Sequence, residues 1–159
     1  MSTSEFEGVS LASILGEANV EDDCLEREGG EVIFVGKDRG FIEGKGFVEY
    51  ERSLPIKECL HNQDILLSFK MNGEKLLPQH GFPVRLVVPG YYGMCSVKWL
   101  ERIVVVKEPF RGPYMRAYTL RTGNNSPPQT IDKIKTRTLM IPPGVPSFRS
   151  PNFSFFHFT

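Results

Sequence analysis

Apolar positions recur along this chain with two different periods. Leu11, Ile14, Leu15 and Ala18 fall at i, i+3, i+4 and i+7, one face of a helix, and Ser10 stands where an N-cap belongs, so the spacing predicts a helix over 9–20. Elsewhere the apolar residues gather in short β-branched runs punctuated by Gly and Pro, which read as strands. These are Glu31–Gly36 (EVIFVG), a weaker run at Phe47–Leu54, Ile65–Met71 (ILLSFKM), Pro83–Pro89 (PVRLVVP) and Arg102–Lys107 (RIVVVK). Asn72-Gly73 sits directly after the third run and predicts a two-residue hairpin turn, because both residues tolerate positive φ. Lys37–Lys45 is charged and Gly-rich and reads as a loop open to a ligand. Pro55 opens a helical turn through Cys59 and Leu60, Gly90–Gly93 turns the chain, and Ser96–Leu100 fits another helical turn. The sum is an α+β or mainly β domain, with short helices.

After Leu120 the pattern fades. Six of the twelve prolines (127, 128, 142, 143, 146 and 151) lie beyond it, and Thr138–Ile141 alone resembles a strand. The end, Phe153–Thr159, is aromatic with no partner visible in the sequence. We read residues 1–120 as one domain and 121–159 as a Pro-rich linker entering a second; by composition alone, a disordered tail fits the same residues.

Composition removes several function classes. Nineteen Lys and Arg balance nineteen Asp and Glu, so the basic excess of a nucleic-acid-binding surface is missing. No apolar run nears the ~20 residues needed to span a bilayer. Met1–Gly8 carries two acids and no basic stretch, unlike a targeting peptide, and the compartment stays open. Cys24, Cys59 and Cys95 are widely spaced and form no C-x-x-C, which argues for free thiols over a zinc or redox motif. No phosphate-binding P-loop, dinucleotide fingerprint, H-E-x-x-H or G-x-S-x-G occurs.

Candidate chemistry begins at Arg85, a cation among the apolar residues of PVRLVVP. Buried there without a partner it costs several kcal/mol, on the order of ~3–5. A strand face open to water, or a distant carboxylate, accounts for it equally well. His80 lies in the preceding turn, as a structural hydrogen-bonder or a ligand group. Lys98 stands between Val97 and Trp99, where a lysine can also snorkel along a helix edge. Taken together the three flank one strand and its following loop, and can converge on an anion such as phosphate, a planar fork beside a point charge. Cys95 and His80 are a second, weaker pairing, a nucleophile and base without an orienting third group.

The string His80–Leu100, HGFPVRLVVPGYYGMCSVKWL, resembles the molybdopterin-binding domain of the sulfite oxidase family. The likeness extends through DILLSFKMNGEKLLPQ (Asp64–Gln79), VGKD (Val35–Asp38), the SLP of Ser53–Pro55 and FEGVSL (Phe6–Leu11), covering roughly residues 6–120. It implies that His80, Arg85, Ser96, Val97 and Lys98 hold the pterin and its phosphate, that Asp38 also contacts the cofactor, and that Tyr118 in YMRAY lies beside the metal and substrate as the catalytic residue. It implies a molybdenum cofactor, oxygen-atom transfer from sulfite to sulfate, and electrons passed to cytochrome c or another haem acceptor. Relatives also act on nitrate, or in reverse on sulfoxides. The family fold is mixed α+β, followed by an immunoglobulin-like dimerisation domain whose lead-in resembles Lys135–Phe148 (KTRTLMIPPGVPSF), and its members are homodimers in mitochondrial, peroxisomal or periplasmic compartments. The family's molybdenum thiolate lies upstream of the 9–20 helix, and none of the three cysteines matches it. The expectation is therefore the C-terminal part of a cofactor domain over 1–120 with a stub of the dimerisation domain over 121–159, no metal ligand within it, and no activity in isolation. A remnant that binds no metal and a β-rich interaction module that docks through its aromatic tail are the competing readings.

Overall fold

The computed structural model describes residues 3–20, 29–121 and 127–136. Strand β1 (Phe6–Ser10) runs straight into α1 (Leu11–Glu17), so the helix is shorter than the periodicity predicts. Ser10 holds the N-cap place with extended backbone, but its hydroxyl donates to Gln63 Oε1 at 3.1 Å instead of capping. The Leu11 N–H is satisfied by the Ile65 carbonyl at 2.8 Å, tying the helix start to the strand beside it. Asn19, at φ 51°, ends the helix.

Strands β2 (Glu31–Ile42) and β3 (Gly46–Pro55) form one long antiparallel hairpin. The loop expected over 37–45 is a turn of only 43–45; the rest is strand. Arg39 pairs across to Glu49 with an ion pair of 2.7 Å, and the Phe41 and Phe47 rings meet edge to face at 5.6 Å. Polarity there marks a hairpin arm solvated on both faces, since charge alone does not break a ladder whose cross-strand pairs are complementary. A register shift between Val35 and Arg39 bulges the strand at Gly36–Asp38.

Helix α2 (Ile56–His61) follows Pro55 as predicted, with Ile56 and Cys59 buried. Strand β4 (Leu66–Met71) is the hub of the first sheet, paired to β1 on one edge and to β5 (Glu74–Lys75) and β6 (Arg85–Val87) on the other. Asn72 and Gly73 make the β4–β5 turn at φ 54° and 80°. Of PVRLVVP only Arg85–Val87 pairs as strand, because the flanking prolines have no N–H to give. The helical turn expected over 96–100 does not form. A tight 3-10 turn occupies Gly93–Cys95, and the chain then runs alongside β6: Leu86 N–H donates to Val97 O at 2.8 Å and Leu100 N–H to Val84 O at 2.9 Å. Strand β7 (Leu100–Val106) completes the second sheet in the order β3-β2-β7.

The core lies between the two sheets, α1 and α2. Val32, Phe34 and Leu54 point into it from β2 and β3, Leu11 and Leu15 from α1, and Leu86 and Val88 from the β6 side. Each fully buried side chain of this size contributes about 1.5–3 kcal/mol. Helix α3 (Pro113–Ala117) leads to β8 (Thr119–Leu120), which pairs with β9 (Gln129–Thr130). Residues 127–135 lie back on the chain before them: Tyr92 N–H donates to Asp132 O at 2.8 Å and Ile134 N–H to Gly90 O at 2.9 Å. Cys24, the strand-like 138–141, the aromatic end 153–159 and most of the Lys135–Phe148 lead-in lie outside the described residues. Among the described residues no helix is long and apolar enough to cross a membrane.

Candidate functional site

Two cations meet at one glycine. Gly81 closes the 3-10 turn Pro78–His80 in the left-handed region at φ 104°. A Cβ built on it would lie 3.0 Å from Lys98 Cβ and 3.1 Å from Arg85 Cβ, so the turn is pinched between the two side chains. The next peptide, Phe82–Pro83, is cis. Arg85 is half-buried and stands at the start of β6, opposite Ser68. Its Nη1 donates to the His80 carbonyl at 3.2 Å, its guanidinium lies 5.2 Å from the Phe6 ring centroid, and its Nε is buried with no partner. Burial lowers its pKa, but a guanidinium remains charged at any physiological pH. Lys98 Nζ donates to Gln79 O at 3.1 Å and sits over the Trp99 ring at 4.5 Å. Among the described residues neither cation has a carboxylate within ion-pair distance.

The other expected cofactor residues lie on the same stretch of backbone. Ser96 Oγ accepts the Val88 N–H at 3.1 Å, which leaves its own hydrogen free to donate outward. Val97 is buried, and both its backbone groups are spent inside the fold, the N–H on Cys95 O at 3.1 Å and the C=O on Leu86 N–H. It therefore shapes the loop and offers no polar group to a ligand. Asp38 sits on the β2 bulge with its carboxylate over Gly36, where it crowds the same point as Lys98 O and Val97 Cγ1. Lys37 N–H donates to Trp99 O at 2.9 Å, locking the bulge to the Lys98 loop. Arg85, Lys98 and Asp38 thus form a rim around Gly81 and Gly36, with His80 and Ser96 on the chain segments that carry it.

Tyr118 lies apart from that rim, exposed at the end of α3. Tyr50 lies on β3: its hydroxyl donates to Met94 O at 2.8 Å and its ring packs on Tyr114 with centroids 4.8 Å apart. Burial pushes the Tyr50 phenol up to about 12; nearby Arg52 pulls it down, while Tyr118, Cys95 and Asp38 reinforce the rise.

Cys95 does not meet His80. Its thiol turns inward, 3.6 Å from Arg52 Nη2, and burial raises its pKa above the ordinary value despite that cation. A buried thiol with a raised pKa is a poor nucleophile. Cys59 is also buried, its thiol pushed up to about 12. Among the described residues no three His, Cys, Asp or Glu side chains gather as a metal site.

Three contributors escape a linear reading. Phe6, Trp99 and the Gln79 carbonyl support the two cations from 79, one and 19 residues away in sequence. Trp99 is held at φ 48° with its indole N–H on Pro78 O at 2.8 Å. Arg52 is the fourth, and it had a signal: Tyr50, Arg52 and Leu54 share one strand face by alternation, so an inward arginine follows from Leu54 being core.

The rim fits a pterin phosphate on its own chemistry. A buried, unpartnered guanidinium Nε and an ammonium with no carboxylate flank a glycine at which any side chain would be strained, which is the donor set a phosphate needs. The oxidoreductase molybdopterin binding domain family matches residues 1–114. NADH nitrate reductase of Lotus japonicus is 38% identical over 115 residues, 72% of this chain and 12% of that protein. A nitrate reductase of Brassica napus is 40% identical over 111 residues, 68% of this chain and again 12% of the relative. The chain thus spans a small fraction of these relatives. The sulfane dehydrogenase SoxCD of Paracoccus pantotrophus superposes with a TM-score of 0.62 at 30% identity, covering 80% of this chain and 29% of that one. The chain belongs to the oxidoreductase molybdopterin-binding domain family, with a sulfite-oxidase-type α+β fold and the molybdenum cofactor as the group its family binds.

Proposed function

We propose that this chain supplies the pterin-phosphate side of a molybdenum-cofactor oxidoreductase that moves one oxygen atom to or from a small oxyanion. The observation that carries this is the Arg85 guanidinium, half-buried with an orphan Nε, facing Lys98 across Gly81. Arg85 presents a planar fork to the phosphate and Lys98 a point charge, while the backbone under both is already bonded and cannot swing away. The His80 ring and the Ser96 hydroxyl add hydrogen bonds, Val97 sets the loop's course, and the Asp38 carboxylate accepts from pterin N–H groups. Tyr118 offers its phenol to the substrate. When bound, the cofactor supplies the two-electron oxygen-atom-transfer chemistry.

For sulfite the balance is sulfite plus water giving sulfate, two protons and two electrons, the electrons leaving to cytochrome c or another haem acceptor. For nitrate it is nitrate plus two protons and two electrons giving nitrite and water. The loop sequence resembles the sulfite enzymes, whereas the nitrate reductases at 38–40% identity favour the second direction. A homodimer formed through the domain that begins in 121–159 belongs to the same proposal.

The test uses the chain purified from cells that make the cofactor, with bound pterin read as its fluorescent oxidation product and molybdenum by mass spectrometry. Loss of one charge-assisted contact of about 1.5–3 kcal/mol lowers affinity on the order of 10- to 100-fold. Arg85→Ala is therefore expected to strip most of the pterin, and Lys98→Ala a smaller share. Pterin occupancy equal in Arg85→Ala and wild type would overturn the assignment. Assaying the complete protein with sulfite and with nitrate in parallel decides the substrate, and turnover of neither discards the oxyanion reading.

A further inference from the structure

Arg52 is 1% exposed, the largest side chain among the fully buried ones described. No carboxylate lies within ion-pair distance of it among the described residues. Desolvating a guanidinium without an anion is expensive, so its position demands a reason. Its contacts give one. Nη1 donates to the Tyr114 carbonyl at 3.0 Å, on α3. Nη2 donates to the Ile131 carbonyl at 3.0 Å, just past β9, and lies 3.6 Å from the Cys95 thiol at the base of the Ser96–Lys98 loop. Ile131 in turn donates its N–H to the Tyr118 carbonyl at 2.9 Å. Thr130 Oγ1 reaches the Met115 carbonyl at 3.4 Å, closing the same frame. One planar fork from β3 thus joins the segment that carries Tyr118 to the loop that carries Ser96, Val97 and Lys98. Lysine, with a single nitrogen, cannot aim at Tyr114 and Ile131 with separate groups.

We propose that Arg52 is a positioning residue that fixes Tyr118 relative to the cofactor-binding loop through Tyr114, Ile131 and Cys95. This rests on the reading of the Lys98 loop and Tyr118 as parts of one site. Placement of α3 and β8 does not come from their own helical or strand strength, since they are five and two residues long. The buried charge takes that role: carbonyl dipoles from two chain segments must stay turned toward it, because releasing either leaves a cation unsolvated in the core.

The experiment places 3-fluorotyrosine at position 118 of the full chain and compares wild type, Arg52→Met and Arg52→Lys by fluorine NMR and amide hydrogen exchange. In Arg52→Met the 118 resonance shifts and broadens and the Ile131 amide exchanges at least tenfold faster, while the Leu86 amide, bonded to Val97 on the other side of the loop, keeps its rate. Arg52→Lys recovers part of the shift. Molybdenum cofactor released from a donor enzyme moves the 118 resonance in wild type. In Arg52→Met it still binds to within twofold by pterin fluorescence but no longer moves that resonance, a split that general loss of structure does not produce. A 118 resonance in Arg52→Met that coincides with wild type and responds equally to cofactor would overturn the proposal. If Arg52→Met does not fold, Arg52→Lys decides, and its coincidence with wild type counts against the fork. Cofactor that leaves the wild-type resonance unmoved sinks the shared-site reading instead, and the tether between Arg52 and Ile131 is then judged by exchange alone.

Discussion

Gly81 shows how one missing side chain organises the site. Its φ of 104° is a conformation L-residues rarely adopt, and a methyl group there would press on the Cβ atoms of both Lys98 and Arg85. Backbone strain and displacement of the two cations act together, so Gly81→Ala is expected to cost about 1–3 kcal/mol. It also separates the two charges that the proposed anion would share. Pterin occupancy should therefore fall further than the melting temperature alone accounts for, and a variant with lowered Tm but full pterin content would refute the link. What residue types made legible was the meeting of two cations: an arginine and a lysine read from the sequence as converging do come together at Gly81, the geometry from which we propose an anion site. What the sequence did not carry was the support. Phe6 beneath Arg85 is 79 residues away, and the orphan state of Arg85 Nε is a fact about what fails to approach it, which no spacing records. Val97 illustrates the opposite limit, since its place in the motif says nothing of backbone groups already spent on Cys95 and Leu86.

At the scale of elements, β1 is held to β4 through a bulge at Glu7–Gly8. A Cβ on Gly8 would collide with the Leu67 carbonyl, a backbone group with nowhere to move. Gly8→Ala should therefore open the β1–β4 ladder and loosen Phe6 from Arg85. The check is hydrogen exchange: the Leu67 and Val9 amides should lose protection at least tenfold, whereas Ile33 and Phe34 in the other sheet keep theirs. Uniform loss across both sheets would instead mean global destabilisation. The elements read best from sequence were those with a strong local rule, such as the Asn72-Gly73 turn, the β-branched runs of β2 and β7 and the apolar run of β4. Strand β1 was missed because its residues continue into the helical pattern without a break. The arm of β2 from Lys37 to Ile42 reads as part of a loop because charge and glycine there signal solvent, and the cross-strand pairs Arg39–Glu49 and Phe41–Phe47 exist only once the hairpin has formed. The helical turn expected at 96–100 lost to pairing with β6, a tertiary effect that overrides a weak local preference.

For the molecule as a whole, the buried thiols and phenols agree in direction on the alkaline side, whereas the carboxylates disagree on the acid side. Glu58 is held below the ordinary carboxylate value, first by its hydrogen bond to Lys133, whereas burial raises Glu51 above it, so their effects on acid stability oppose each other. At high pH four buried groups act together. Burial pushes the Cys59 thiol from its ordinary 9.0 up to about 12, raises the Cys95 thiol as well, and pushes the Tyr50 and Tyr91 phenols from 10.0 up to about 12. Each keeps its proton to higher pH in the folded chain than in the unfolded one, so the folded state binds more protons throughout that interval and stability falls as pH rises. The contribution of Cys59 is complete below pH 9 and declines from there toward about 12, and the two tyrosines join the decline from 10. Urea midpoints measured from pH 8 to 11 should thus be flat at first and then drop with increasing slope. Cys59→Ala lowers the whole curve, because a buried sulfur is lost from the core, yet it should reduce the slope between pH 9 and 10, where of these groups only the thiols Cys59 and Cys95 are titrating. A midpoint constant to pH 11, or a slope between 9 and 10 unchanged in Cys59→Ala, would show that these groups do not govern the alkaline limit of this fold.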